Sequence, residues 1–256
     1  MNAMLQNSYP SLAGKVVFIT GGASGIGACM VRRLREQGAR VALVDLDQNA
    51  IASLLESLGQ DGYPIPWTRP LDVRDIPSLQ NAIHECAAAH GGRLDVLINN
   101  AANDARIPFE DVTPASWDAS QEVNLRPHFF AMQAAATLMQ PGAAIINMGS
   151  VSWRRRRTGF TGYTTAKGGI HALTRTMAQE LGPRGIRVNS VVPGAIRTER
   201  QMQLWVNPKL EQSFIDEQAL KFRLLPDDVA AMVLFLLSDD ARACSGQEFL
   251  VDGGIV

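Results

Sequence analysis

Residues 16–34 run VVFITGGASGIGACMVRRL. The opening VVFIT suits a short buried strand, the glycines force a turn, and a helical segment begins near Ser24–Gly25. Gly21, Gly25 and Gly27 allow a tight bend, close backbone approach to a pyrophosphate, and close helix–strand contact. The helix start, with Ser24 and Ile26, aims unpaired N–H groups at such an anion. A glycine turn alone is weak evidence, because many α/β turns contain glycine. Its setting is stronger: Asp45 ends the next apolar run, RVALVDL (40–46). A carboxylate there accepts hydrogen bonds from both adenosine ribose hydroxyls and repels a 2′-phosphate. The stretch therefore predicts a dinucleotide site that takes NAD rather than NADP.

The rest of the chain continues the alternation. KVVFIT (15–20), RVALVDL, LDVLINN (94–100), AAIINMG (143–149), RVNSVVP (187–193) and EFLVDG (248–253) read as buried strands. Helical segments fall at roughly 25–37, 47–58, 75–90, 115–140, 161–182 and 226–238. Uniformly apolar strands alternating with helices predict a parallel sheet covered on both faces. The expectation is one α/β domain over 1–256, a doubly wound Rossmann fold, with a tail at 1–12. The irregular stretch 195–225, containing Trp205, Phe214 and Phe222, is expected to cover substrate.

Bulk numbers exclude several classes. A net charge of −1 offers no broad basic field for a nucleic acid. Three dispersed cysteines, Cys29, Cys86 and Cys244, fit neither a disulfide framework nor a zinc site. His84, His90, His128 and His171 show no metal-ligand spacing. Residues 1–13 lack the pattern of a signal peptide, and no apolar run approaches the roughly 18 residues of a membrane span. A cytoplasmic protein without a membrane or nucleic-acid partner is expected.

The glycine spacing is G-x-x-x-G-x-G, which as TGGASGIG (20–27) resembles the short-chain dehydrogenase/reductase family. Further pieces match in order: Asp72 in LDV, NNA (99–101), Asn124, Ser150, Tyr163 with Lys167, and PGAIRT (193–198). The resemblance covers about 12–254. It implies that Asp72 and Val73 contact adenine and that Asn100 and Ala101 lie along the cofactor. It also implies that Pro193, Gly194, Ile196 and Thr198 line the nicotinamide end. Ala102 departs from the usual NNAG without removing a reactive group.

Tyr163 and Lys167 are four residues apart on a helix and share a face. A free phenol, with a pKa of about 10, is a poor base at neutral pH. A nearby ammonium and a positive nicotinamide are expected to lower it toward working pH. The pattern alone is common in helices. Ser150, thirteen residues earlier at a strand end, has the family's spacing. The resemblance implies that Ser150 orients the substrate oxygen and Tyr163 takes its proton. Lys167 would hold the nicotinamide ribose, and Asn124 a water leading from Lys167 to solvent. The expected reaction is hydride transfer from a carbinol carbon to NAD.

Between the serine and the tyrosine lie four arginines, Arg154–Arg157. They form either a solvated or subunit-contact loop or, through one member, a clamp on a carboxylate, phosphate or sugar oxygen. Residues 99–118, GSVSW (149–153) and PGAIRTERQMQLW (193–205) resemble bacterial NAD-dependent D-xylose and related aldose 1-dehydrogenases. That implies oxidation of an anomeric hydroxyl to a lactone, with Asn103, Asp104, Arg106, Ser150, Trp153, Arg154 and Arg200 as candidate sugar contacts. Another secondary alcohol, a sugar acid or a 3-oxoacyl compound stays open, as does a non-catalytic NAD(H)-binding scaffold. Family analogy implies a homotetramer.

Overall fold

A computed structural model describes residues 7–156, 158–204 and 207–256. Among these residues seven strands form one parallel sheet: β1 (Val16–Thr20), β2 (Arg40–Asp45), β3 (Trp67–Pro70), β4 (Val96–Asn99), β5 (Ala144–Met148), β6 (Arg187–Pro193) and β7 (Glu248–Val251). Their order is β3-β2-β1-β4-β5-β6-β7. The described α-helices are α1 (Gly25–Glu36), α2 (Gln48–Gln60), α3 (Ile76–Ala89), α4 (Pro114–Asn124), α5 (Arg126–Ala136), α6 (Thr161–Leu181), α7 (Glu199–Leu204), α8 (Pro208–Glu217) and α9 (Pro226–Leu237).

The central strands are apolar at nearly every position because both faces are covered. In β1, Val17 and Ile19 pack into the core containing α1, α2 and α9 residues, while Val16 and Phe18 pack into that of α3, α5 and α6. The chain runs outward from β1 through β2 to β3, then returns to place β4 on the other side of β1. Loops leaving β1 and β4 therefore diverge, opening a crevice at the carboxyl ends of the strands.

Three local features differ from the expectation. β3 has no apolar run and ends in Pro70, which an edge strand tolerates. Its register, Ala42↔Trp67 to Asp45↔Pro70, holds it to β2. The helix expected over 115–140 is two helices broken at Leu125 (φ −129°, ψ −53°). Pro127, with no N–H and a ring that clashes one turn back, forces the break. Asn124 consequently ends α4, fully buried. The expected tail is docked from Tyr9 onward: Tyr9 N donates to Gln37 Oε1 at 2.7 Å, and Leu12 is fully buried.

The stretch 195–225 is largely helical. Arg223 ties it together, donating to Glu211 Oε1 (3.1 Å), to Gln201 Oε1 (2.9 Å) and to the Ala195 carbonyl. Its guanidinium also lies 4.8 Å from the Phe214 ring centre. One nearly buried cation thus joins the exit of β6 to α7 and α8. Trp205 and Arg157 fall outside the described residues.

Candidate active site

The glycine turn fits a bound dinucleotide on steric grounds. A Cβ on Gly27 would sit 2.0 Å from the Gly21 carbonyl oxygen and 2.9 Å from Asn100 Nδ2. One on Gly21 (φ +63°) would sit 2.8 Å from the Ala101 Cα. Asn100 Nδ2 donates to the Gly21 carbonyl at 2.7 Å, stitching the turn to the end of β4. Ser24 caps α1 through its backbone alone, with no side-chain bond to the first amides. Those N–H groups remain available to a pyrophosphate. Gly25 (φ +52°) leaves room for Thr198, whose Cγ2 would lie 3.3 Å from a Cβ there.

Asp45 faces this turn. Its Oδ2 accepts from Ala23 N at 2.9 Å and its Oδ1 from Asp47 N at 3.1 Å. Each oxygen retains accepting capacity for a ribose hydroxyl. Asp72 and Val73 follow β3. The Asp72 carboxylate is gripped by Arg74 (Nε at 2.9 and 3.0 Å), whose hydrogen bonds hold its pKa below the ordinary value.

The crevice is lined by Met148, Gly149 and Ser150 leaving β5, and by Tyr163 and Lys167 of α6. Pro193, Gly194, Ile196 and Thr198 after β6 face Asn100, Ala102 and Asp104 after β4. Ile26 of α1, with Arg200 and Gln201 of α7, completes the wall. Met148, Gly149 and Gln201 were not singled out from sequence, since an apolar strand end and a helical glutamine carry no signature. Lys167 is 2% exposed, and its Nζ donates to the Met148 carbonyl at 2.8 Å.

Without cofactor, the phenol is shifted up rather than down. Burial brings Lys167 down to about 7 and pushes Tyr163 up to about 12. The hydrogen bond with Ser150 pulls Tyr163 down, and Asp104 adds a smaller upward push. Lys167 does not lower the phenol here: its Nζ lies 5.6 Å from the Tyr163 ring centre and bonds toward β5. Desolvation of each group dominates its own shift. What favours the phenolate is Ser150 and the positive end of α6, where Tyr163 is the third residue.

The remaining expected residues separate into two groups. Asn124 lies behind the cleft wall: its Nδ2 donates to the Asn103 carbonyl (2.9 Å), and its Oδ1 accepts from Asn103 N (2.8 Å). It shapes the loop carrying Asp104. Arg200 Nη2 reaches Asn103 Oδ1 (3.2 Å) and Asp104 Oδ1 (3.4 Å). Arg106 lies 4.7 Å over the Phe160 ring. Trp153 and Arg154 are absent from the cleft lining, and Arg154 pairs with Glu248 instead. His128 is a surprise. It is 2% exposed, with neither ring nitrogen hydrogen-bonded among the described residues. Burial and then the charge of Lys167 hold it well below its ordinary pKa. Among the described residues no cluster has the makings of a metal site, and no helix is long and apolar enough to cross a membrane.

Comparison with known proteins gives the family. The family described as Enoyl-(Acyl carrier protein) reductase matches residues 21–256. A Burkholderia cenocepacia short chain dehydrogenase, solved in complex with NADP, superposes with a TM-score of 0.88 at 32% identity, covering 96% of this chain and 99% of its own. The chain belongs to the short-chain dehydrogenase/reductase family. This short-chain dehydrogenase/reductase is 44% identical to a D-xylose 1-dehydrogenase of Caulobacter vibrioides, over 96% of this chain and 97% of the relative. It is 40% identical to a probable galactose dehydrogenase, GalD, of Rhizobium meliloti, over 97% and 98% respectively. It is accordingly an oxidoreductase of CH–OH groups that uses a nicotinamide cofactor.

Proposed function

We propose that this enzyme oxidises the anomeric hydroxyl of a cyclic aldose to a lactone with NAD. The observation that carries the reading is that Tyr163, Ser150, Asp104 and Arg200 line one cleft. A reacting pair and a polar, charge-balanced wall suit an uncharged polyol. The names of the xylose and galactose relatives support the same class.

When bound, the cofactor supplies hydride acceptance. Ser150 orients the anomeric oxygen, and Tyr163 removes its proton as the C–H bond breaks. Lys167, which lines the cleft and bonds the Met148 carbonyl, holds the ribose and passes the proton outward. Asp104 and Arg200 take the ring hydroxyls, while Asn103, pinned by Asn124, fixes Asp104. Asp45 accepts from the adenosine ribose, and its charge disfavours a 2′-phosphate. Arg154, paired with Glu248, and Trp153 lie off the cleft lining and do not hold the sugar in this reading. Family analogy supports a homotetramer as its assembly. The test is NADH formation across pentoses and hexoses, repeated with NADP. Turnover of an aldose with a strong NAD preference is expected. Activity confined to hydroxyacids or acyl substrates would reject the sugar reading, and equal use of NADP would reject the role of Asp45.

A further inference from the structure

The arginine run contributes nothing to the chemistry above, and none of its described members lines the cleft. Two of them are nonetheless committed. Ser150 leads into a tight turn, Val151–Trp153, from which Arg154 pairs with Glu248 at the start of β7. The Glu248 side chain is only 6% exposed, and His171 Nδ1 lies 2.7 Å from its other oxygen. Trp153 stacks on the His171 ring at 5.8 Å between centres and carries the Arg154 guanidinium 4.7 Å from its own. This cluster fixes the serine loop to the sheet. Arg155, nearly buried, then pairs with Glu217, the last residue of α8. From α8 the connection runs through Glu211 and Arg223 to Gln201, which lines the cleft.

We propose that Arg155 is a positioning residue, a strut between the anchored Ser150 loop and the helical segment α7–α8, setting how that segment sits over the sugar. The strut acts on substrate retention, because it touches neither cofactor nor reacting atoms. Its effect on KM rests on the sugar reading given above; its effect on the α8 backbone does not. An ion pair with one half-exposed partner acts at the upper end of the surface range, about fivefold.

The experiment uses the full chain with Arg155→Gln, Glu217→Gln, the exchanged pair Arg155→Glu/Glu217→Arg, and Arg156→Gln as the control for lost charge. Aldose kinetics and amide hydrogen exchange over 208–217 are read together. Either single variant should raise KM about fivefold with kcat within about twofold, and speed exchange about fivefold. The exchanged pair should restore both, and Arg156→Gln should change neither. Should Arg155→Gln fail to fold, Glu217→Gln carries the same expectation. Wild-type KM and exchange in the single variants, or no recovery in the exchanged pair, would overturn the strut. Faster exchange that the exchanged pair reverses, with no aldose turned over by any protein, would uphold the strut and reject the sugar reading.

Discussion

Tyr163 and Lys167 are set against proton abstraction until charge arrives. In the protein alone burial holds the phenol up near 12 and the lysine down near 7. The positive ring of oxidised nicotinamide, once bound, would tip that balance. The chain has three tyrosines, so a difference titration between wild type and Tyr163→Phe isolates this one. Its phenolate absorbance should emerge only above about pH 10 without cofactor, and at least about one pH unit lower with NAD. An unmoved titration would contradict the coupling. On the proposed reading Asp45 sets the cofactor preference. Asp45→Ser should cut the ratio of kcat/KM for NAD over NADP by roughly 100-fold, the scale of a removed like-charge repulsion. Both residues were legible in the sequence because their spacing to the glycine turn and to Ser150 is local or motif-bound. The direction of the tyrosine shift was not legible, since desolvation depends on packing that the spacing of Tyr163 and Lys167 does not report.

At the level of elements, the turn between β1 and α1 is the proposed cradle of the cofactor. Gly27→Ala would drive a methyl into the Gly21 carbonyl, a clash that costs about 1–3 kcal/mol once the turn shifts. Calorimetric NADH affinity should fall by about tenfold or more, with a lower melting temperature. Wild-type affinity would mean that the turn does not clasp the pyrophosphate. The alternation of β1, β2, β4, β5 and β6 with helices was plain in their unbroken apolar runs. β3 was not, because an edge strand of four residues ending in proline has no pattern to detect. The break before α5 had a signal, Pro127, that marks a helix start as strongly as any residue in the chain. The order within 195–225 had none. It rests on Arg223, and the Arg154–Glu248 pair spans 94 residues; contacts at such separations are set by topology.

For the whole molecule, buried titratable groups make stability depend on pH. A lysine brought down to about 7 from 10.5 favours folding fully above 10.5, and that contribution is lost as pH falls toward 7. His128, also depressed, contributes above its unfolded value of about 6.5 and loses that contribution below it. Tyr163, raised to about 12, acts oppositely: its contribution is present below about 10 and is lost as pH rises toward 12. The thiols of Cys29 and Cys86, raised from 9.0 to about 12, act like the tyrosine from about pH 9 upward. The cofactor-free protein should therefore gain stability from pH 7 to about 9, by up to about 1.4 kcal/mol per unit from Lys167 alone. Lys167→Met should flatten that rise in denaturant unfolding measured across the range. An unchanged slope would show that Lys167 is charged in its buried setting.

The sheet, the turn and the cleft converge on one group, and Tyr163→Phe tests it most directly. The substitution removes the proton acceptor and keeps the ring that packs 6.5 Å from Phe160. NADH binding, followed by its fluorescence, should stay within about twofold of wild type while aldose turnover falls at least about 1000-fold. Turnover within tenfold of wild type, with cofactor still bound, would contradict the assignment of Tyr163 as the base.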